Sequence, residues 1–253
     1  MSQITTDPKE HLKAFNGFLK QSDGRDKLTA AVQYAAMFVS AGEAGDAKRV
    51  QTSVAAARKV FRIFRPLEAA SPVLLNPVLN PKKPVLLELI NKLKSILMAI
   101  YFAGDHVVWA SQAGLYTDKE GTEKAQKMSL WSWALGSVCT VVSECYELLQ
   151  LSKPPSTGEG REAWEIKRMK AHAEINTRMI TLVHALFQTL LAAGLLQLRP
   201  MKPRTVGLIG VIASVMNCYM LYPKLPAAAL TAPKSYAEAT SSTQQPKMEL
   251  KKA

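Results

Sequence analysis

Two long stretches without a formal charge lie near the end of the chain and constrain its fold more than any other feature. Residues 180–198 and 206–222 contain no Asp, Glu, Lys or Arg, and a short basic loop, residues 199–204, separates them. A helix needs roughly 17 to 25 apolar residues to cross a bilayer, so both stretches are long enough, the second at the short limit. We therefore expect a transmembrane helical hairpin, with a soluble helical hairpin as the alternative.

Small and polar residues recur at helical spacing on both stretches. Antiparallel helices that turn near residue 201 bring Gln188 and Asn217 to a similar depth. In a bilayer core neither side chain reaches water, so each needs a partner. We expect a hydrogen bond between Gln188 and Asn217, with Gly210 and Ser214 letting the two helix backbones approach closely.

The remaining sequence is patterned as helices rather than strands. Residues 25–40, 85–114 and 128–151 each read as helical, whereas four prolines within residues 71–84 predict a loop. Within residues 128–151 a narrow stripe of small polar side chains allows close helix packing, either in a soluble core or in a membrane. The stripe consists of Ser129, Ser132, Gly136, Thr140, Ser143 and Glu147. These patterns predict an all-α integral membrane protein.

Changes in composition divide the chain into four regions. Residues 1–152 form an N-terminal helical region, and residues 153–178 form a linker followed by a helix of mixed charge. Residues 179–223 form the transmembrane hairpin. Residues 224–253 are rich in proline and small polar residues, so this tail is expected to be disordered.

Residues 48–67 carry six basic residues and no acidic one. We expect the segment to be one membrane-active amphipathic helix, with its apolar residues on one face and Arg58, Arg62 and Arg65 on the opposite face. An aromatic and aliphatic face below a purely basic face suits the surface of an anionic phospholipid bilayer. An ordinary core helix, a calmodulin target and a nucleic-acid-binding helix are the alternatives. The residues expected to bind the membrane are Lys48, Arg58, Lys59, Val60, Phe61, Arg62, Phe64 and Arg65.

The rest of the composition limits the chemistry that the chain can perform. A net charge of +12 implies an acidic partner, but aromatic residues are only 7% of the chain, too few for a platform that stacks nucleic-acid bases. No catalytic motif, cofactor loop or metal-ligand spacing is present. Asp105 and His106 are adjacent on a helix and point about 100° apart, so they do not form a catalytic dyad by themselves. We therefore expect neither enzyme activity nor a cofactor, a metal or nucleic-acid binding.

Several blocks of the sequence, in this order, resemble the peroxin-eleven family of peroxisomal membrane proteins, and the similarity runs from about residue 23 to residue 223. Within this family, the chain resembles the green-plant branch. The first blocks are Arg25-Asp26-Lys27-Leu28 with Gln33-Tyr34, and Ala57-Arg58-Lys59-Val60-Phe61-Arg62. The next is Gly104-Asp105-His106-Val107-Val108-Trp109 with Gly114-Leu115-Tyr116. The hairpin adds Gly194-Leu195-Leu196-Gln197-Leu198 and Cys218-Tyr219.

The resemblance implies an integral protein of the peroxisomal membrane with both termini towards the cytosol. It implies a protein that elongates this membrane and promotes peroxisome proliferation and fission, and that associates with itself into homo-oligomers. It also implies recruitment of a fission adaptor and of dynamin-related machinery. The residues suggest the mechanism: the segment 48–67 inserts into the cytosolic leaflet while the hairpin holds the protein in the bilayer.

Two functional alternatives and the topology stay open. The polar stripes could line a solute-conducting pore, and a soluble nucleic-acid binder is a third class. The basic loop, residues 199–204, belongs in the cytosol by the positive-inside rule, whereas the resemblance places it on the matrix side.

Overall fold

A computed structural model describes residues 8–81, 84–152 and 161–223, and every regular element in these residues is an α-helix. This confirms the predicted all-α class. In chain order the helices are α1 (Pro8–Lys20), α2 (Ser22–Ser40), α3 (Asp46–Val60), α4 (Arg65–Leu75), α5 (Val85–Gln112), α6 (Lys119–Leu151), α7 (Arg161–Leu195) and α8 (Pro203–Leu221). The expected linker at residues 153–158 and the expected disordered tail at residues 224–253 lie outside the described residues.

The helices α7 and α8 form the predicted hairpin. Within them, Ala171–Leu195 and Pro203–Leu221 are long and apolar enough to cross a membrane. In the most apolar stretch of each helix only 22% and 33%, respectively, is buried inside the protein, so most of this apolar surface faces outwards. The charged helix and the first span, expected as separate regions, are one continuous helix, since no Gly or Pro interrupts α7 near residue 178.

The glycines of α8 pack against α2. A Cβ atom added at Gly210 would lie 2.3 Å from the ring of Tyr34, and one at Gly207 would lie 2.6 Å from the backbone N of Phe38. The expectation that Gly210 lets α7 and α8 approach is therefore replaced by close packing on α2. The buried core at this place combines residues of α2, α7 and α8: Ala30, Tyr34, Leu191, Val206, Ile209 and Ala213.

The helices α5 and α6 pack against each other through the predicted stripe of small residues. Ser129 Oγ donates to the carbonyl oxygen of Tyr101 at 2.8 Å, and Ser143 Oγ donates to Oδ1 of Asn91 at 3.1 Å. A Cβ atom added at Gly104 would lie 2.8 Å from that of Ser129. Small side chains therefore let the two helices approach, as the sequence predicted.

The prediction of one helix across residues 48–67 is wrong. The helix α3 ends at Val60, residues 61–64 form a turn, and α4 begins at Arg65. The cause is Pro66, which lacks an N–H and whose ring would clash with the carbonyl of Arg62 in a continuous helix. Proline is favoured in the first turn of a helix, so Pro66 suits the start of α4. The carbonyl oxygen of Arg62 lies instead 3.0 Å from Nε2 of His106.

The predicted loop at residues 71–84 is only partly a loop. The helix α4 continues through Pro72 to Leu75, and the described residues between Asn76 and α5 are irregular. A single interior proline removes one helix hydrogen bond, a loss that a short helix packed on its neighbour can tolerate. Here α4 packs along α5, and Lys92 Nζ of α5 donates to the carbonyl oxygens of Pro77 and Val78, at 3.0 Å each.

Candidate functional site

A buried carboxylate on α2 draws together basic side chains from α3 and from the turn that follows. Asp26 is only 3% exposed. Its Oδ1 accepts hydrogen bonds from Nε of Arg58 at 3.1 Å and from Nε of Arg62 at 2.9 Å. Nη2 of Arg62 donates to Oδ2 at 3.1 Å, and Nζ of Lys27 lies 3.2 Å from the same oxygen. One carboxylate thus faces three cations.

The opposite side of Arg62 binds to α5. Its Nη1 donates to Oδ2 of Asp105 at 2.7 Å and to the hydroxyl of Tyr101 at 2.8 Å. Nη1 of Arg58 donates to Oε1 of Gln33 at 2.6 Å. These hydrogen bonds of the two guanidinium groups therefore join α2, the end of α3 and α5. We refer to Asp26, Arg58, Arg62, Tyr101 and Asp105 as the ion-pair cluster.

The proximity of these charges changes their protonation equilibria. Burial alone would raise the pKa of Asp26, but attraction to Arg62, Lys27 and Arg58 outweighs it and holds this pKa far below its usual range. Burial would likewise lower the pKa of Arg62, yet attraction to Tyr101, Asp26 and Asp105 raises it well above its usual value. Burial also raises the pKa of the Tyr101 hydroxyl, in spite of Arg62. The cluster is therefore a set of paired ions around a neutral phenol at physiological pH.

The expected exposed basic face does not form, because Arg58 and Arg62 are 7% and 5% exposed. Their acidic partners are 32 to 43 residues away in the chain, so a search for neighbours on the same helix could not find them. Arg65 is also engaged, with Asp23 and with Oε2 of Glu68 at 2.9 Å. Three of the cations expected at the membrane surface are thus paired with carboxylates.

The remaining residues expected at the membrane surface have mixed environments. Lys48 and Lys59 are half-buried and make no ion pair with a described residue, Nζ of Lys48 donating to Oε1 of Gln51 at 3.2 Å. The ring of Phe61 lies under the guanidinium of Arg25, with 5.7 Å between Cζ and the ring centroid.

Apolar side chains, in contrast, are exposed at the junction of α3 and α4. Phe64 is 76% exposed, the largest fraction in this group. Contiguous exposed apolar side chains are typical of a surface that contacts a membrane or a protein. We call this group the apolar ridge: Val60, Ile63, Phe64 and Leu67.

A cavity of about 280 Å³ lies beside the ion-pair cluster and is lined by side chains from six helices. It brings together Gln188 of α7 with Ser214 and Asn217 of α8, so three of the four residues expected to pack the hairpin share its wall. Within the described residues, however, Gln188 and Asn217 make no direct hydrogen bond, and Nε2 of Gln188 lies 2.9 Å from Nε2 of His184. Gly210, the fourth residue, faces Tyr34 on α2.

The described part of the chain contains no group of three or more His, Cys, Asp or Glu side chains that could hold a metal ion. Cys139, Cys145 and Cys218 are free thiols. Asp105 and His106 do not act on each other: Asp105 binds Arg62, and the ring of His106 contacts the backbone of the same residue. Their role in the geometry is to hold the turn after α3 on α5.

The ion-pair cluster joins three of the sequence blocks on which the family resemblance rests. Asp26 comes from the first block, Arg58 and Arg62 from the second, and Asp105 from the third. In addition, Tyr34 of the first block packs on the hairpin at Gly210. The blocks are distant in the chain, and the fold makes them neighbours.

Comparison with known proteins supports the family resemblance that these sequence blocks carry. The family model described as "Peroxisomal biogenesis factor 11 (PEX11)" matches residues 12–222. Peroxisomal membrane protein 11D of Arabidopsis thaliana is 36% identical over 217 residues, which cover 83% of this chain and 91% of that protein. Peroxisomal membrane protein 11-5 of Oryza sativa subsp. japonica is 32% identical, with 81% and 91% covered. Peroxisomal membrane protein 11A of Mus musculus is 29% identical over 54% of this chain and 58% of that protein.

No solved structure matches the chain. The matched names describe a biogenesis factor and membrane proteins rather than an enzyme. With a family match over most of its length and two helices able to span a bilayer, the chain belongs to the peroxisomal biogenesis factor 11 family and is a peroxisomal membrane protein.

Proposed function

We propose that this protein elongates the peroxisomal membrane, and so promotes peroxisome proliferation and fission, by inserting the apolar ridge into the cytosolic leaflet. The observation that carries the proposal is the exposure of Phe64 and Leu67, 76% and 63%, where a folded chain would otherwise bury them. Apolar side chains that enter only one leaflet expand that leaflet and favour curvature. The hairpin of α7 and α8 keeps the wedge at the bilayer.

The ion-pair cluster gives the wedge a fixed position. Because Arg62 is bonded to Asp26 and to Asp105, the turn that carries the apolar ridge is held to both α2 and α5. A rigid attachment transmits the displacement of lipids to the whole helical bundle, whereas a flexible segment would relax around them. The arginines expected to contact lipid head groups thus have a mechanical role in this proposal.

Electrostatic attraction to anionic phospholipid contributes less to this mechanism than the six basic residues within residues 48–67 had led us to expect. In the described part of the chain, Lys48 and Lys59 make no ion pair with a carboxylate, and Nζ of Lys48 donates to Gln51 instead. A cation near an anionic membrane surface contributes about 1 kcal/mol. Insertion of the apolar ridge therefore supplies most of the binding, and anionic lipid strengthens it.

Self-association completes the proposal, because one wedge bends a membrane only locally. A row of exposed side chains on α6 recurs at alternating steps of three and four residues and offers a face for a second copy. The homo-oligomer would concentrate the apolar ridges along a tubule. Recruitment of a fission adaptor and dynamin-related machinery, which the family resemblance implies, would follow on the elongated membrane.

The test replaces the most exposed ring of the apolar ridge by a charge. In cells that lack the native protein, Phe64→Glu should reach peroxisomes but fail to elongate them, since a buried Phe contributes roughly 1.5 to 3 kcal/mol and a carboxylate opposes insertion. Leu115→Glu is the matched control, because Leu115 is 75% exposed on the loop between α5 and α6. Normal elongation with Phe64→Glu would rule out the ridge as the wedge.

Solute conduction is a second candidate function, and the polar cavity between the helices favours it. The cavity is lined by Ser137, Thr140, Thr181 and Asn217 among others, a polar set beside the two helices that are able to span a bilayer. Purified protein in planar bilayers should then show discrete conductance steps. Elongation without any conductance would favour the wedge alone.

A further inference from the structure

The cavity beside the ion-pair cluster is lined by basic side chains and by no carboxylate. Lys27, Arg58, Arg62 and Lys94 face it. The carboxylates of Asp26 and Asp105 hold the two arginines from behind and do not line the space. The charged groups that a molecule inside the cavity would meet are therefore these four cations, and the other titratable groups on its wall are the phenols of Tyr34 and Tyr101 and the imidazole of His184.

The carboxylates nearby do not balance these cations. Lys27, Arg58 and Arg62 share Asp26 and Asp105, which leaves one positive charge in excess. Lys94 adds a second, since its ammonium makes no ion pair or hydrogen bond with a described residue. Glu144 of α6 attracts Lys94 from a distance, but it is bonded to Arg178 at 3.2 Å.

An uncompensated cation inside a protein is costly. Burial lowers the pKa of Lys94, with Glu144 and Cys139 opposing the shift only in part. A bound anion would remove this cost, because a charge pair with hydrogen bonds replaces an unpaired charge in a poorly solvated site. The unpaired ammonium of Lys94 therefore favours binding of an anion at this position.

The neutral walls indicate what else the ligand carries. Tyr101 and Trp133 stack with their ring centroids 5.6 Å apart and form an aromatic wall. The hydroxyls of Ser137 and Thr140 donate to their own helix, at 2.9 and 3.1 Å, and so present lone pairs to the cavity. The space, about 280 Å³, is just below the usual range of ligand pockets, about 300 to 1,000 Å³. This size suits a small organic acid and is too small for a nucleotide.

We propose that the cavity binds a small organic anion, a carboxylate or a phosphate, with its charge between Lys94 and Lys27 and its carbon skeleton against Tyr101 and Trp133. The proposal does not depend on membrane elongation or on conduction. The same chemistry can come from a free metabolite or from the phosphate of a lipid head group that enters the bundle. Binding at this place would link α2, α5 and α7, and so couple an anion to the position of the apolar ridge.

The experiment measures binding to the full-length protein in a neutral detergent. Succinate and inorganic phosphate are the probes, and sodium chloride at equal ionic strength is the reference. A ligand that binds only the folded state raises the Tm, and above Kd the stabilisation grows with the logarithm of the ligand concentration. We expect succinate or phosphate at millimolar concentration to raise the Tm above that in chloride, and to change the fluorescence of Trp133. A Trp133→Phe variant assigns that signal.

Variants then locate the site. Lys94→Met should weaken binding by at least tenfold, while Lys94→Arg, which keeps the charge, should retain it. Lys124→Met is the matched control, since Lys124 is exposed on α6 and pairs with Glu120. Equal stabilisation by chloride, succinate and phosphate, or unchanged binding in Lys94→Met, would overturn the proposal.

The two sources are separated by reconstitution. Nanodiscs of neutral lipid should preserve succinate binding to the protein. If nanodiscs of phosphatidic acid abolish it in the native protein, the occupant is a lipid phosphate. If both nanodiscs preserve it, the occupant is a free organic anion.

Discussion

A buried carboxylate that faces three cations, as Asp26 does, can be replaced by few other residues without loss of stability. Its nearest substitute, asparagine, has almost the same shape but no charge. Removing one partner of a buried ion pair is destabilising by about 3 to 5 kcal/mol, because the remaining charges stay buried without compensation. Asp26 is 3% exposed, so solvent does not screen the loss.

We therefore expect Asp26→Asn to lower the free energy of unfolding by about 3 to 5 kcal/mol. Thermal unfolding of the purified protein in detergent measures the change. Asp46→Asn is the matched control, because Asp46 pairs with Arg49 where both side chains are over four-fifths exposed, and its Tm should not change. Equal Tm values for the two variants would show that the ion-pair cluster does not stabilise the fold.

The same residue makes stability depend on pH. The pKa of Asp26 is lower in the folded protein than its ordinary value of 3.8, so the unfolded state takes up a proton first as the pH falls. The stabilisation is therefore complete above about pH 5 and is lost progressively as the pH falls through 3.8 and below. The Tm of the native protein should be constant from pH 7 to 5 and should decline below pH 4. Asp26→Asn should show a shallower decline over the same range, and parallel curves would contradict this account.

At the scale of the helices, the contact of α8 with α2 depends on glycine. A Cβ atom at Gly207 would lie 2.6 Å from the backbone N of Phe38 and 2.8 Å from its Cα, and a backbone cannot rotate away as a side chain can. The two helices would have to separate to admit a methyl group. Overpacking of this kind costs about 1 to 3 kcal/mol.

Gly207→Ala should therefore destabilise the protein by about 1 to 3 kcal/mol, although alanine is the better helix former. Gly17→Ala on α1 is the matched control, since its added Cβ would meet only Pro223, at an ordinary 3.8 Å. That variant should be neutral or slightly more stable. Unfolding curves of both variants in the same detergent decide the point, and an unchanged Tm for Gly207→Ala would mean that α2 is not closely packed on the hairpin.

The helices show which features the sequence alone could predict. The hairpin, α5 and the small-residue stripe of α6 were predictable because periodicity and the absence of charge are local properties. The break after Val60 was missed, although Pro66 signals it, because the basic residues on both sides suggested one continuous face. The partners of Arg58 and Arg62 could not be predicted by spacing, since Asp26 and Asp105 lie far away in the chain.

The same limit explains the candidate sites. Phe64, which was expected to bind the membrane, is exposed, whereas Arg58 and Arg62, expected beside it, are buried. Gln188 and Asn217 were expected at a similar depth and do share the cavity, yet His184, one helical turn away, is the hydrogen-bond partner of Gln188. The positive cavity itself has no local signal, because its four basic side chains come from three separate segments of the chain.

At the scale of the whole molecule, the exposed apolar surface tells more about the surroundings of the protein than the buried core does. Large apolar side chains are exposed on α5, α6, α7 and α8, for example Leu93, Leu135, Leu186 and Val215, each between 48% and 55% exposed. A soluble bundle would cover such faces. In a membrane protein lipid covers such faces, and we propose that another copy of the chain covers part of them.

The face of α6 allows these two occupants to be distinguished. Its exposed apolar side chains follow a seven-residue repeat, which is typical of two helices packed along their length and is more regular than contact with lipid requires. They are Met128, Trp131, Leu135, Val138, Val142 and Leu149. The exposed thiol of Cys145 continues the same repeat, at a position three residues after Val142. The native chain therefore carries a reporter on the face itself.

We expect a thiol-specific bifunctional reagent to cross-link two copies through Cys145 in intact peroxisomal membranes, when Cys139 and Cys218 are replaced by serine. If the two α6 helices run in parallel, a single cysteine at Leu135 should cross-link as well. A cross-link only at a cysteine near Val138, and none through Cys145, would contradict this expectation and show that the helices run antiparallel and cross at Val138. Gln126→Cys is the matched control, because Gln126 is exposed on α6 outside the repeat. Replacement of Val138 by Glu should abolish the cross-link and, with it, peroxisome elongation. Efficient cross-linking of Gln126→Cys but of no position in the repeat would assign this face to lipid.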